Sequence, residues 1–554
     1  MTSLTARRTV DRPLLALAVA PVVAVAAALA VMHLVGLPGV DIAAHTYKTG
    51  LVAQGQSLVW DDLWYGGSYG VVSYGVVFYL LARLVGATTI VVLSAGLLPL
   101  LFHLYVRRAW RATSLLPAVA LAVVVVIYLL NGQDPFLLAM ALTMAGLALL
   151  ACDHPLWAAL PVGVAAFTNP VAVVVGAVFV AAAALAWRPA RRPTMLFAAA
   201  LCPFAAVWVG VQLAFHGRAS YLAQPGELLM WTALAAAGVL LAQFSDDPDR
   251  RAKQILFALA GALCLAAIVV PAELGNNAAR FLALFGLPAL LMVRRVRLPR
   301  AATAALLAAA AAVQLAAPIA DLLRTGEGVQ TRRTFFAPAL AFARRDYRPD
   351  FRYHVVALRL HWEAYYFPQA GLPITRGWFR QSDWQHNAIL YHSPTPAQYV
   401  AWLRDLGVSD VFVPHAALDM SSTGEPALIA RSGAFVRVFE AGDWTVYRLR
   451  RPSPLVVVAP GGAGAAPPGA TPGAAVTAVG HDAVAVAVAR PGAYVVKFTW
   501  TPYWRLAAAP GPPGTAAGSL TRAPGDWTLL RAARAGRYVL RVQPSLRTAL
   551  SQIF

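Results

Sequence analysis

Long apolar segments, separated by short polar or basic connections, fill residues 14–320 and constrain the fold of this chain more than any other feature. Hydrophobic residues make up 59% of the 554-residue chain and charged residues only 13%, whereas soluble domains contain about 25% charged residues. A run of about 20 apolar residues is long enough to cross a bilayer as a helix. The sequence therefore predicts an integral membrane protein with several helical spans.

The number of spans follows from the lengths of the apolar segments. The first, residues 14–37, is longer than the apolar core of a signal peptide, so we expect a retained helix with a cytoplasmic N-terminus. Residues 71–85 are apolar but too short to span, and we expect them to lie along the membrane. The remaining runs are 88–106, 115–130, 136–151, 155–168, 170–187, 194–215, 226–243, 254–271, 277–293 and 301–320. Residues 1–320 are thus predicted to form a membrane domain with about eleven spans.

The positive charge of the chain, formally +20, is concentrated in short clusters between apolar segments. Because Lys and Arg favour the cytoplasmic loops of membrane proteins, we expect these clusters on the cytoplasmic side of the plasma membrane, next to anionic lipid. No nucleic-acid-binding motif accompanies them, so no nucleic-acid partner is expected. The clusters are 107–111, 188–192, 250–253 and 294–300. Residues 38–70, 216–225, 272–280 and everything beyond 320 then lie outside.

Beyond residue 320 the composition changes, and apolar runs shorten to strand length. Residues 354–360, 408–414 and 435–439 predict strands, and 396–407 predicts an amphipathic helix closed by a glycine. A helix followed directly by a strand is one α/β unit. We therefore expect a small extracytoplasmic α/β domain over residues 321–451.

Alternating residues dominate the last part of the chain. Residues 459–475 are rich in Pro, Gly and Ala, which is typical of a linker or long loop. The runs 483–489, 494–500 and 537–543 show the two-residue alternation of strands, and glycine and proline typical of turns lie between them. This pattern predicts an extracytoplasmic domain resembling an antiparallel β-sandwich over residues 452–554.

The polar segment 38–70 interrupts the apolar part of the chain and carries its first acids. Asp41 lies four residues beyond the first predicted span, at the membrane–water boundary, where a carboxylate can act as a general base. Asp41 and His45 have i, i+4 spacing, so one helix would place both on one face. An Asp at that position also caps a helix, and the two roles are compatible.

Further candidates lie in the same segment. Asp61 and Asp62 are adjacent carboxylates that would bind a divalent cation or orient a sugar, or would simply be solvated in an exposed loop. His45 and Tyr47 would hydrogen-bond a substrate or serve the structure of the interface. Trp60 and Tyr65 fit an interfacial aromatic belt more simply than a sugar-stacking platform.

Two other clusters complete the candidate site. In the predicted external turn, Arg280 suits a phosphate because its guanidinium binds anionic oxygens bidentately; the alternative is snorkelling to lipid headgroups. Its companions are Glu273, Asn276 and Asn277. In the α/β domain a segment rich in aromatic residues and arginine indicates a carbohydrate-facing surface or a packed core with ion pairs. Its members are Trp362, Glu363, Arg376, Trp378 and Arg380.

A first helix, an acid just beyond it, and the motif W-D-x-x-x-Y-G-G at residues 60–67 resemble bacterial membrane proteins of the GT-C glycosyltransferase superfamily. The chain looks most similar to the 6-pyruvoyl-tetrahydropterin synthase-related membrane proteins and to YfhO-like proteins, whose β-domain ending is similar to TWTPYWRL at 499–506. The resemblance implies a GT-C fold, a polyprenyl-phosphate sugar donor, inverting transfer outside the membrane and a catalytic acid at Asp41. Some members carry paired acids, whereas this chain has a single Asp at 41.

We therefore expect a membrane glycosyltransferase that transfers sugar from a polyprenyl-phosphate donor to an envelope glycan or lipid acceptor. A transporter or flippase of lipid-linked glycan is the first alternative, but few ionisable groups lie within the apolar segments. A non-catalytic envelope scaffold is the second. No cofactor is firmly implied, and dependence on a divalent cation is left open.

Overall fold

The computed structural model describes residues 12–37, 39–70, 74–215, 223–270, 274–325, 328–460, 473–507 and 518–553. The chain divides into two compact units. Unit 1 comprises Met1–Ile42, Tyr74–Val209 and Tyr221–Gly326. Unit 2 comprises Ala43–Ser73, Gly210–Ser220 and Glu327–Phe554.

The part of the chain up to residue 325 is mainly helical. Its helices are α1 (Arg12–Val35), α2 (Ile42–Ala53), α3 (Val76–Val85), α4 (Ala87–Ala109), α5 (Leu116–Leu129), α6 (Asp134–Ala151), α7 (Pro155–Thr168), α8 (Pro170–Ala186), α9 (Arg191–Ala214), α10 (Pro225–Gln243), α11 (Arg250–Val269), α12 (Arg280–Leu290) and α13 (Arg300–Thr325). Short 3₁₀ helices lie at Arg188–Ala190 and Gly275–Ala279.

Several of these helices are long and apolar enough to cross a membrane. By length and composition, six candidates occur among the described residues: α1, α4, α6, α9 with the preceding 3₁₀ turn, α10 and α11. The fold is compatible with a membrane protein that carries sheet-containing domains, whereas the total of about eleven spans stays a prediction. Helix α3 has ten residues, or about 15 Å, which is too short to span.

Acidic residues neutralise part of the charge of two basic clusters from which the membrane orientation was predicted. Lys253, which is buried on α11, pairs with Asp247. Arg294 lies 3.4 Å from Asp247 and 3.2 Å from Asp249. The clusters at 250–253 and 294–300 therefore carry less net positive charge than their arginines and lysines suggest. Because the positive-inside rule counts Lys and Arg and not net charge, the orientation stays a prediction.

The described residues of unit 2 form three four-stranded sheets and one short hairpin. The hairpin joins β1 (Trp60–Asp61) to β2 (Ser68–Tyr69). The first sheet has the order β3-β4-β6-β5, and only β3 and β4 run parallel. Its strands are β3 (Arg352–Val355), β4 (Val408–Pro414), β5 (Phe435–Ala441) and β6 (Trp444–Leu449). The accompanying helices are α14 (Arg333–Arg345), α15 (Glu363–Gln369), α16 (Arg380–His386), α17 (Pro396–Asp405) and α18 (Glu425–Ser432).

The other two sheets share one hydrophobic core and are antiparallel throughout. Their strand orders are β12-β13-β10-β7 and β11-β14-β9-β8. The strands are β7 (Val456–Val458), β8 (Ala474–Val479), β9 (Ala483–Val488), β10 (Gly492–Thr499), β11 (Trp504–Ala507), β12 (Gly518–Arg522), β13 (Trp527–Ala532) and β14 (Gly536–Val542). Helix α19 (Leu546–Ile553) ends the described chain. The predicted linker at 459–475 falls largely on residues 461–472, outside the described residues.

Most strand and helix predictions for unit 2 match the structure, but the first strand is shorter than expected. Strand β3 ends at Val355 instead of continuing to residue 360. Beyond it the chain pairs with the loop after β4, because Asp419 N–H donates to Ala357 O at 2.8 Å and Arg359 N–H donates to Ala417 O at 2.9 Å.

The segment after α2 differs most from expectation, because it is buried in unit 2 instead of forming an exposed loop. Trp60 is 2% exposed and belongs to the core of the two antiparallel sheets. Backbone hydrogen bonds join Leu63 O to Ile374 N at 2.9 Å and Gly66 O to Thr499 N at 2.8 Å. The idea that Asp61 and Asp62 are solvated acids is therefore wrong, because this segment is fixed to distant parts of unit 2.

Candidate functional site

Two glycines allow the turn that carries Asp41 to approach the α5–α6 turn in unit 1. A Cβ atom on Gly39 would lie 2.5 Å from the backbone nitrogen of Gly132, which itself has a φ of +69°. The close approach lets Asp41 N–H donate to Asn131 O at 3.0 Å. Helix α2 begins at the next residue, Ile42, so Asp41 occupies the position where capping was expected.

Arg280, the first residue of α12, contacts neutral groups of unit 1. Its Nε–H donates to Asn277 Oδ1 at 3.0 Å, and a terminal nitrogen donates to Gln133 Oε1. The guanidinium carbon lies 5.2 Å from the centroid of the Phe136 ring. These groups are neutral, and among the described residues no carboxylate pairs with Arg280. An arginine with only neutral partners can still bind an anion.

Asn276 has a structural role beside Arg280. Its amide donates to Glu227 Oε2 at 2.5 Å, and its Oδ1 accepts the Gln224 N–H at 2.7 Å. Asn276 thereby joins the 3₁₀ turn to the start of α10. Glu273 lies outside the described residues.

Tyr74 places the candidate base and the candidate phosphate ligand at the same end of unit 1. Burial raises the pKa of the Tyr74 phenol, the negative charge of Asp41 raises this pKa further, and the positive charge of Arg280 lowers it. Both charges therefore act on one hydroxyl group. Tyr74 has a φ of 140° and is followed by Gly75 with a φ of 90°. Sequence reasoning missed Tyr74, and its one sequence signal is the tyrosine–glycine pair directly before α3.

The α2 residues His45 and Tyr47 lie inside unit 2. Burial, followed by the charge of Lys48, lowers the pKa of His45 to about 3, so its imidazole is neutral at physiological pH. The Tyr47 hydroxyl donates to Asp61 Oδ2 at 2.8 Å, and its ring stacks on Trp64 with centroids 4.7 Å apart. Both side chains have structural partners, and the structure does not test their predicted contact with a substrate.

Lys48 is an unusual cation in the same region. Burial lowers the pKa of its ammonium group to about 7, although the charge of Asp61 opposes this shift. Its Nζ donates to Gly70 O at 3.0 Å and lies 4.4 Å from the centroid of the Phe379 ring. The adjoining pocket, lined by Asp61 and Trp64, has room for about one water molecule.

Asp61 and Asp62 are held by neighbouring groups. Asp61 Oδ1 accepts the Leu63 N–H at 3.0 Å. Asp62 is completely buried, and its Oδ1 accepts the Trp60 indole N–H at 2.7 Å. Burial raises the pKa of Asp62, and the Trp60 hydrogen bond opposes this shift. Among the described residues no group of three His, Cys, Asp or Glu side chains could hold a metal ion.

Tyr65 is buried too. Its hydroxyl donates to Phe379 O at 2.9 Å, and its ring stacks on His386 with centroids 5.3 Å apart. A sugar could not stack on this ring without displacing His386.

Arg376 differs from Arg280 because its charge is fully compensated. It forms two hydrogen bonds to Asp383, at 3.0 and 2.5 Å, and one to each of two serine hydroxyls. Glu425 Oε1 lies 3.7 Å from another of its nitrogens. Arg376 and Asp383 are both buried. This geometry favours the packed-core interpretation over binding of a substrate anion.

The remaining candidates of the α/β part lie near the carboxyl ends of the parallel strands β3 and β4. His361 Nδ1 lies 3.2 Å from Glu363 Oε1, and its Nε2 lies 3.4 Å from Asp419 Oδ2. Burial alone would lower the pKa of His361, but the hydrogen bonds and charges of Asp419 and Glu363 raise it to about 9. Arg380 donates to Asp419 at 2.7 Å. Trp362 and Trp378 are partly exposed.

Comparison of the sequence with protein-family models and with curated proteins finds no match.

Proposed function

We propose that this protein is a GT-C-type membrane glycosyltransferase, with about eleven spans, that uses a polyprenyl-phosphate sugar donor. It would act on an envelope glycan or lipid acceptor on the extracytoplasmic side. The observation that carries the proposal is that Asp41 and Arg280 both bond to the α5–α6 turn, Asp41 through Asn131 O and Arg280 through Gln133 Oε1. A base and a phosphate ligand must lie close together because the bond that forms and the bond that breaks share one sugar carbon.

In the proposed reaction Asp41 accepts the proton of the acceptor hydroxyl while that oxygen attacks the anomeric carbon. The bond from this carbon to the donor phosphate breaks, and the polyprenyl phosphate leaves with both bonding electrons. Arg280 stabilises the negative charge that develops on the leaving phosphate. Attack opposite the leaving group inverts the anomeric configuration.

Tyr74 is proposed to position the reacting groups. Its raised pKa keeps the phenol protonated at neutral pH, so it can donate a hydrogen bond to a substrate oxygen. The hydroxyl cannot replace Asp41 as the base, because it stays protonated.

The contrast between the two arginines supports this choice of site. Arg376 is saturated by Asp383 and two serine hydroxyls, so binding a phosphate there would break a buried ion pair. Arg280 has neutral partners among the described residues and can gain a phosphate without losing a carboxylate. His45, Asp61 and Asp62 stay predictions as catalytic residues, and their present contacts favour a structural role.

Asparagine at position 41 gives a clean test, because Asn caps helices about as well as Asp but cannot accept the proton as a base. We expect Asp41→Asn and Arg280→Gln to insert normally and to fail to restore the envelope glycan of a deletion strain, as measured by mass spectrometry. Asp153→Asn is a matched control, because Asp153 is an exposed turn residue with a φ of 62° that Asn also tolerates.

Restoration of the glycan by Asp41→Asn would contradict the transferase proposal. The scaffold alternative would be favoured if Asp41→Asn corrected the growth or envelope defect of the deletion strain as well as wild type does.

A further inference from the structure

A groove of about 420 Å³ lies between α14 and α15 in unit 2, and the proposed reaction does not use it. Small-molecule sites typically have volumes of about 300–1,000 Å³. Its lining includes Arg333, Leu340, Arg344, Tyr365, Tyr366 and Gln369.

The arginines stand at the two ends of one helix face. Positions 333, 340 and 344 of α14 are spaced i, i+7 and i+11, so they share a face of the helix. Eleven residues correspond to roughly 16 Å along a helix axis. Between the arginines the floor is apolar, and Leu340 is 7% exposed. The groove therefore has the length of one or two sugar rings with a cation at each end.

Both arginines keep their charge available for a ligand. Among the described residues neither Arg333 nor Arg344 pairs with a carboxylate. Burial, and then Tyr365, raise the pKa of the Tyr366 phenol in the groove wall. The charge of Arg333 lowers this pKa.

The aromatic wall of the groove is held in place by its own contacts. The Tyr366 ring stacks on Phe336 with centroids 4.5 Å apart, and its hydroxyl donates to Thr331 O at 2.8 Å. Trp362 meets Tyr365 edge-on with centroids 5.5 Å apart. A wall fixed before binding costs less conformational entropy when a ligand arrives.

We propose that this groove binds a carbohydrate that carries a phosphate group. One of the two arginines holds the anionic oxygens, the ring of Tyr365 receives the apolar face of the sugar, and the amide of Gln369 pairs with a sugar hydroxyl. The phosphate can belong to a soluble sugar phosphate or to a lipid headgroup, and both sources present the same chemistry to the arginines. The binding site does not depend on the transferase reaction.

Calorimetry with the full chain in phosphatidylcholine nanodiscs tests the site. The ligand titrated is glucose 1-phosphate. Glucose and inorganic phosphate, its two component parts, are titrated separately for comparison. We expect glucose 1-phosphate to bind at least tenfold more tightly than either half. The double variant Arg333→Gln/Arg344→Gln should lose at least tenfold in affinity. Arg345→Gln, on the same helix but outside the lining, should retain the wild-type affinity.

A lipid arm separates the two sources. Nanodiscs containing phosphatidylinositol carry a headgroup with both a phosphate and a polyol ring. Weaker binding of glucose 1-phosphate in these nanodiscs than in phosphatidylcholine nanodiscs, seen both for wild type and for Arg345→Gln, supports the site and assigns it to a lipid headgroup. Binding that is unaffected by the lipid supports a soluble ligand. The proposal is overturned if the double variant binds glucose 1-phosphate as tightly as wild type does. It is also overturned if inorganic phosphate binds wild type as tightly as glucose 1-phosphate does.

Discussion

The indole nitrogen of Trp60 donates a 2.7 Å hydrogen bond to the carboxylate of Asp62, and both side chains are buried in unit 2. This contact explains why an acidic and aromatic segment becomes part of a core. The Asp62 backbone N–H also donates to His481 O at 2.7 Å, which fixes the acid to the start of β9. A buried carboxyl with these contacts stabilises a particular arrangement of the segment and has little access to a substrate.

Asp62→Asn should stabilise unit 2 at neutral pH. The folded-state pKa of Asp62 is raised, so wild type loses stability as pH rises from about 4 through that pKa, because the folded carboxyl binds its proton more tightly than the unfolded one. Asparagine removes this loss and keeps an acceptor for Trp60. We expect the melting temperature at pH 7 to rise by at least about 2 °C in calorimetry, which corresponds to roughly 1 kcal/mol. A lower melting temperature together with lost activity would instead indicate a functional carboxylate.

Arg376→Gln should strongly destabilise unit 2. The substitution leaves Asp383 buried without its cation, whereas Glu425 keeps its contact with His354. Breaking a buried pair costs about 3–5 kcal/mol. Arg380→Gln is the matched control, because its side chain is 29% exposed and its pair with Asp419 is partly screened. Denaturant titration should show a loss at least twice as large for Arg376→Gln as for Arg380→Gln. Equal losses would contradict the structural role assigned to Arg376.

His361 should give unit 2 a stability that disappears in alkaline solution. Its folded-state pKa is about 9, above the value of about 6.5 expected for the unfolded chain. The stabilisation, roughly 3 kcal/mol from this difference, is fully present below pH 6.5 and is lost as pH rises through 9. His361→Gln should therefore be less stable than wild type at pH 6 and should approach it at pH 9.5. Thermal unfolding across this range measures the difference, and a gap that does not change with pH would refute the assignment.

The regular elements of unit 2 were the most accessible to sequence reasoning. Strand β4 was predicted at its observed bounds, Val408–Pro414, because a short apolar run follows a capped amphipathic helix closed by Gly407. Strand β3 was predicted too long, because pairing with a loop more than 50 residues away ends it at Val355. Periodicity identifies a strand, but a distant partner decides where its ladder stops.

The site was only partly accessible to sequence reasoning. Asp41 was singled out because it follows the first predicted span at the membrane–water boundary, and Arg280 because a guanidinium in a predicted external turn suits a phosphate. Tyr74, whose pKa is shifted by both charges, is not marked out by the composition of its segment. The contacts of Trp60 and Asp62 involve residues more than 400 positions away, such as His481 and Trp504, and local composition carries no information about them.

The most direct test of the central claim is the affinity of the purified protein for polyprenyl phosphate, the leaving group, which requires no knowledge of the sugar. Arg280→Gln should weaken binding at least tenfold, or about 1.4 kcal/mol, because it removes the cation that holds the phosphate. Asp41→Asn should bind as tightly as wild type or more tightly, because it removes a nearby negative charge, and Asp153→Asn should be unchanged. Wild-type affinity in Arg280→Gln, or a tenfold loss in Asp41→Asn, would contradict the claim that these two residues hold the phosphate and the acceptor of one reaction.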